Sequence, residues 1–173
     1  MILLQIVQAD GLNMREIGWQ LPFGITSVWL EPLIGITAGV FLRMADRAAL
    51  SPLAGLIQRL VGRYRLAPSI ESTTAVGGRV AWLIAGTVFA GVVEESLYRG
   101  YAITRLRQRM GIGWAVVVSS VFFGPLHWGE GFGAVITTMV SGALLAGLFL
   151  WRQTLVTPAV AHAMTNLMVL LWR

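Results

Sequence analysis

From Leu21 to Leu42 the chain reads LPFGITSVWLEPLIGITAGVFL, and apolar stretches of similar character recur around residues 79–109, 114–127, 132–151 and 157–171. A helix that crosses a bilayer needs about twenty largely apolar residues, and four or five segments approach that length. Composition agrees: 56% of the 173 residues are hydrophobic and 12% are charged, where a water-soluble domain carries about a quarter charged. The mean hydropathy is +0.72. The expected fold class is all-α, a polytopic transmembrane helical bundle, with residues 1–173 as a single integral membrane domain.

Charge and cysteine content narrow the chemistry. With no cysteine, disulfides, thiolate ligands and a cysteine nucleophile drop out. All thirteen basic residues are arginine and the formal charge is +5. This balance suits the anionic headgroups of a lipid bilayer; no basic tract interleaved with aromatics points to nucleic acid. The opening MILLQIVQAD is too short and lacks the basic start of a signal peptide, so targeting is expected to rest on the first true span.

Along the chain, Glu31-Pro32 interrupts the first apolar stretch and predicts a kinked or tilted helix. LSPLAGLIQRLVGRYR has the spacing of an interfacial amphipathic helix or a short re-entrant piece. Residues 67–78, APSIESTTAVGG, form a polar linker with Ser72 or Thr73 as candidate caps. A helix is expected from Arg79 to about Arg109, broken at Gly111 to Gly113. Helices from Trp114 to His127 and from Phe132 to Trp151 follow, with Gly133, Gly142 and Gly147 giving neighbours room to approach. Pro158 suits the first turn of the last helix, Thr157 to Leu171. Trp114, Trp128, Trp151 and Trp172 fall at span ends, as in an aromatic belt. The arginines divide between both sides of the membrane by alternation, which leaves orientation open.

Carboxylates at membrane depth are costly, so those present carry information. Glu94 and Glu95 lie about 22 Å along the helix from Arg79 and about 15 Å from Arg105. Arg99, four residues beyond Glu95, can pair with it, which leaves Glu94 as the less compensated carboxylate and the better general base. The chain has two histidines, His127 and His162, each near or within an apolar helix. Phe123 shares a face with His127, and His162 with Asn166. Glu94, Glu95, His127, His162 and Asn166 thus come from three helices that a bundle could converge, supplying a base, an imidazole and amide donors. The competing reading is structural: an ion pair, a hydrogen-bond clamp at HAMTN and a headgroup-level His127. Glu31 is expected to snorkel at a broken helix or, alternatively, to join the cavity. No basic side chain is spaced to activate Ser96, Ser119, Ser120 or Ser141, and the HExxH pattern of soluble zinc proteases is absent.

These residues also carry a resemblance. EESLYRG resembles the EExxxR(G) motif, FGPLH the FxxxH motif and HAMTN the HxxxN motif of the intramembrane glutamic proteases that include the bacterial CPBP or Abi proteins and the type II CAAX prenyl endopeptidases. The three motifs stand in order from residue 94 to 166. The resemblance implies an intramembrane glutamic endopeptidase, in a family historically described as metalloproteases, with residues 79–172 as its catalytic helical core. It implies that Glu94 and His127 activate the hydrolytic water, that His162 and Asn166 stabilise the oxyanion, and that Glu95, Arg99 and Phe123 support them. No cofactor is implied; zinc held by Glu94, His127 and His162 is the alternative. The expected partners are a membrane-bound or membrane-tethered protein or peptide substrate and the bilayer, without nucleic acid, in a bacterial plasma membrane. The alternative function is a non-enzymatic membrane immunity or scaffolding protein. Prenyl endopeptidases usually have more helices ahead of the first motif, whereas about ninety residues precede it here. Small bacterial relatives have been linked to bacteriocin self-immunity or to substrates with a C-terminal sorting helix, and the sequence does not choose among these.

Overall fold

The computed structural model describes residues 2–21, 24–61 and 84–171, and every regular element within them is helical. Helix α1 spans Ile2–Ala9. Helix α2, Ser27–Ala45, follows a short 3-10 turn and runs through a π-helical turn, Asp46–Leu50, into α3, Ser51–Val61. Helix α4 occupies residues 84–110 as π-helical Ile84–Glu94 and Ser96–Ala102 followed by α-helical Ile103–Met110. Helix α5, Ile112–Phe123, continues as a 3-10 segment, Gly124–Glu130. Helices α6, Phe132–Arg152, and α7, Val156–Leu171, complete the order. The polar linker at 67–78, Arg63, Arg65, Arg79 and Trp172 lie outside the described residues.

Among the described residues three helical runs are long and apolar enough to cross a membrane: Ser27–Val61 with 35 residues, Ile112–Glu130 with 19 and Phe132–Arg152 with 21. The protein is an integral membrane protein, and α2 illustrates why. Its buried positions are Ser27, Glu31, Gly35 and Gly39, one small or polar residue every four. Its outward side chains are apolar, with Trp29 at 80% and Phe41 at 70% exposure. Apolar residues outside and small ones inside suit a helix solvated by lipid, where close backbone approach drives association.

Helix α7 is the element that α2 and α4 share. A Cβ at Gly35 would stand 2.7 Å from the Thr157 carbonyl oxygen, and one at Gly39 2.6 Å from that of Ala161. From the other side, a Cβ at Gly91 of α4 would come within 2.6 Å of the Ala159 carbonyl oxygen. Backbone therefore meets backbone on two flanks of the helix that carries His162 and Asn166. Of the glycines expected to admit neighbours, Gly133 faces the Ala54 backbone and Gly142 faces Arg99 and Phe123, but Gly147 faces open space.

Winding in α4 departs from the ordinary helix expected for 79–109. Thr87, Gly91, Glu95, Arg99 and Ile103 are all buried, a strict spacing of four. In an α-helix each four-residue step overshoots a turn by about 40°; the wider i→i+5 winding turns less per residue and opposes that drift. Breaks fall where glycine takes positive φ: Gly111 at 75° between α4 and α5, and Gly131 at 108° before α6.

The 51–61 part of the segment read as an interfacial amphipathic helix or a re-entrant piece is helical and continuous with α2. One expectation is corrected. Glu31 does not snorkel: it is fully buried, with Arg152 Nη2 at 2.8 Å and Nε at 3.1 Å and Thr157 Oγ1 donating at 2.5 Å. Pro32 lies inside α2 without ending it. The opening residues build a core at one end of the bundle, where Val7 and Ile17 pack with Ile103, Ala115, Ala146, Phe149 and Leu155. Asp10 fastens that end to α4, accepting from the Tyr101 hydroxyl at 2.6 Å and Arg105 Nε at 3.1 Å.

Candidate active site

Glu95 and Arg99 stand one turn apart on α4, and both are almost completely buried. Arg99 Nη1 donates to Glu95 Oε1 at 2.9 Å, the pairing expected from their spacing. The same oxygen lies 2.8 Å from His162 Nδ1 on α7. Arg99 Nη2 donates to the Gly142 carbonyl of α6 at 3.1 Å, and its guanidinium lies 4.1 Å from the centroid of the Phe123 ring. The absence of a side chain at Gly142 creates this room: a Cβ would sit 3.0 Å from Arg99 Nη2 and 3.1 Å from Phe123 Cδ1.

Phe123 closes α5 at the centre of the group. Its ring centroid is 5.1 Å from Tyr98, 5.6 Å from His127 and 5.9 Å from His162, each contact edge-on. Pro125 cannot supply an amide hydrogen, and the chain beyond Phe123 tightens into the 3-10 segment. His127 sits within it at φ −100° and ψ 15°, the sparsely populated bridge region where many active-site residues are found.

Glu94 is half-buried, and its charged neighbours are His162, Glu95 and Arg99. Those of His127 are Glu130, His162 and Arg99. The two residues assigned by resemblance to water activation therefore share His162 and Arg99 without a direct bond between them. Four buried polar atoms lack a hydrogen-bond partner among the described residues in this region: Glu94 Oε2, Glu95 Oε2, Ser120 Oγ and His127 Nδ1. An orphaned buried polar atom is expensive, so a concentration of them marks a place arranged to receive something polar. Asn166 lies a turn beyond His162 and donates Nδ2 to the Gly86 carbonyl of α4 at 2.6 Å. Its second N–H is left over by that bond.

The structure thus gathers Glu94, Glu95, Arg99, Phe123, His127 and His162, and ties Asn166 to the adjoining backbone of α4. Three contacts have no signature in residue spacing: Glu95 with His162, Arg99 with Gly142, and the indole of Trp19, whose Nε1 donates to Ser96 Oγ at 2.8 Å. Surface cavities of about 700 and 550 Å³ open elsewhere, beside Arg107 and Leu150 and beside Arg15 and Trp19, and none of the grouped residues lines them.

What the arrangement offers is a pair of carboxylates in which one is held by a guanidinium and an imidazole while the other is available. With Nδ1 engaged by Glu95, His162 is left with Nε2 as its free ring nitrogen. Comparison with curated proteins and with solved structures found no match. The model of the type II CAAX prenyl endopeptidase Rce1-like family matches residues 76–168, more than half of the chain and the whole stretch from the glutamate pair to Asn166. On that match, and on an all-helical membrane architecture that agrees with it, the chain belongs to the Rce1-like CAAX protease family, with the CPBP and Abi proteins.

Proposed function

We propose that the protein is an intramembrane endopeptidase that hydrolyses a peptide bond in a membrane-associated protein or peptide, in a bacterial plasma membrane. The observation that carries this reading is the set of unpartnered atoms on Glu94, Glu95 and His127 beside the paired Arg99–Glu95–His162 array. In the proposed step, Glu94 takes a proton from water as the water oxygen bonds to the carbonyl carbon, with His127 orienting the water. His162 Nε2 and the second N–H of Asn166 stabilise the oxyanion. Collapse breaks the C–N bond, and the proton held by Glu94 leaves on the amine.

In the proposed step negative charge passes from the Glu94 carboxylate to the substrate oxygen. A low-dielectric site penalises net charge strongly, so a step that moves charge without creating it suits this environment.

Glu94→Gln tests the reading. In detergent or proteoliposomes, on a cleavable tail peptide, turnover is expected to fall by at least about 10³ with Tm unchanged, the scale for loss of a general base. Unchanged turnover would remove Glu94 from the role. Metal-free chemistry is part of the proposal, and chelation followed by dialysis is expected to leave turnover intact. Loss of activity together with stoichiometric zinc would turn Glu94, His127 and His162 into ligands.

One observation favours the second reading, a non-enzymatic immunity or scaffolding protein. Arg99 is engaged by Glu95, Gly142 and Phe123, as in a purely structural network. That reading requires Glu94→Gln to keep biological function or to lose fold.

A further inference from the structure

The turn that carries both glutamates is fastened from outside the family-matched segment. Ser96 Oγ donates to the Val92 carbonyl at 2.6 Å and accepts from Trp19 Nε1 at 2.8 Å. Residues 93 to 95, Glu94 and Glu95 among them, lie inside the loop of backbone that the Ser96–Val92 bond closes. A serine hydroxyl bonded to the carbonyl four residues back competes with the regular amide ladder and adjusts the local winding. The winding changes at this point. Glu95 stands between two π-helical stretches, Ile84–Glu94 and Ser96–Ala102, at φ −66° and ψ −37°. The angle between the Glu94 and Glu95 side chains depends on that winding.

Trp19 is itself rigidly placed. Gly18, at φ 108°, accepts from the Leu155 amide at 2.8 Å, and a Cβ there would stand 2.6 Å from Phe149 Cε2. Ile17 is fully buried, and its carbonyl would meet a Cβ at Gly100 of α4 at 2.7 Å. The Trp19 amide bonds the Met14 carbonyl at 2.8 Å. Residues 14 to 19 therefore form a fixed block against α4 and the α6–α7 corner, and the indole extends from it to the glutamate turn.

We propose that Trp19 is a positioning residue: through Ser96 it holds the wide turn at 92–96 and sets the relative orientation of the two glutamate carboxylates. The assignment rests on the hydrolase reading for its kinetic consequences and on the Trp19–Ser96–Val92 contacts for its structural ones. Without the indole N–H, the turn is free to relax toward ordinary α-winding, and Glu94 rotates relative to the Glu95–Arg99–His162 array.

The test uses the full chain in detergent micelles, with Trp19→Phe, which keeps a ring and removes the N–H, and Ser96→Ala. Each is expected to lower kcat about tenfold with KM within twofold and Tm nearly unchanged, and the double variant to match Ser96→Ala, because Trp19 acts through the Ser96 hydroxyl. The ¹³C-carboxyl resonances of Glu94 and Glu95, recorded without substrate, are expected to move in both variants. Multiplying losses, a loss confined to KM, or wild-type kcat with unmoved resonances would overturn the assignment. If the wild-type chain hydrolyses nothing, the hydrolase reading fails and the resonances alone decide: moved, the turn is held by Trp19; unmoved, it is not. Should Trp19→Phe fail to fold, Ser96→Ala carries the same measurements.

Discussion

Among the described residues two glutamates are buried against an arginine, Glu31 against a part-exposed Arg152 and Glu95 against a buried Arg99, and the two pairs are finished differently. At Glu31 both carboxylate oxygens are used, Oε1 by Arg152 Nη2 and Oε2 by Arg152 Nε and Thr157 Oγ1. At Glu95 one oxygen takes Arg99 and His162 together, and Oε2 has no partner among the described residues. The first arrangement engages both oxygens, a bidentate fork with a hydroxyl added. The second is left incomplete beside another incomplete carboxylate and an incomplete imidazole. Complete satisfaction is what a structural pair requires; the deficit at Glu95 is what distinguishes a place where chemistry is proposed.

The largest separation between the two pairs should come from replacing each as a unit. Apolar residues of similar volume in place of a buried ion pair are often neutral, or stabilising by about 1–4 kcal/mol. Glu31→Leu with Arg152→Met is expected to keep kcat within about threefold, whereas Glu95→Leu with Arg99→Met should abolish turnover with the fold retained. Thermal melts and a peptide-cleavage assay read both. Equal loss of activity in the two double variants would erase the distinction.

Removing one partner alone makes the pairs behave alike in stability. Arg152→Met strands Glu31 and Arg99→Met strands Glu95, each at about 3–5 kcal/mol. The divergence appears in the folded fraction, which should remain active only in the first case. A smaller effect is expected from glycine. In Gly142→Ala the new methyl meets Arg99 and Phe123 at 3.0 and 3.1 Å, so kcat should fall with little change in Tm. In Gly35→Ala it meets the Thr157 backbone at 2.7 Å, so Tm should fall with little change in kcat.

The smallest effect concerns the exposed tie at Asp10, outside the spans. The Tyr101 hydroxyl, and then Arg105, hold its carboxyl below the ordinary aspartate range. A group whose folded pKa is depressed contributes stability above its unfolded value, about 3.9, and loses it as pH falls through the folded one. Tm of Asp10→Asn should therefore lie slightly below wild type at neutral pH and converge with it in strong acid.

How much of this could be read in advance follows from distance along the chain. Arg99 with Glu95 and Phe123 with His127 are four-residue relations, and helical spacing alone proposed them. Glu95 with His162 spans 67 positions and Glu31 with Arg152 spans 121. No local period encodes such pairs, and so from sequence Glu31 reads as a charge snorkelling at a broken helix or, alternatively, as a cavity group. Hydropathy located the three runs long and apolar enough to cross among the described residues, because lipid selects apolar outer faces wherever a helix crosses. The stretches expected at 79–109 and 157–171 are helical in their described parts without standing among those three. The winding of α4 was written more faintly, in a buried row at every fourth residue that looks ordinary unless its drift is summed. The opening residues hold no motif; their role comes from contacts with residues about 80 to 140 positions away, such as Trp19 with Ser96 and Gly18 with Leu155.

The glycine contacts along α7 also bear on how a peptide could enter. Helices separated by side chains can slide, because rotamers give way a little at a time. Helix α7 meets α2 at Gly35 and Gly39 and α4 at Gly91 with carbonyl oxygens and Cβ atoms against bare α-carbons, so little deformable material lies between them. Mechanically it is a fixed wall, and His162 is mounted on it. On the proposed reading, room for a substrate strand has to come from elements other than the α2–α7 and α4–α7 contacts.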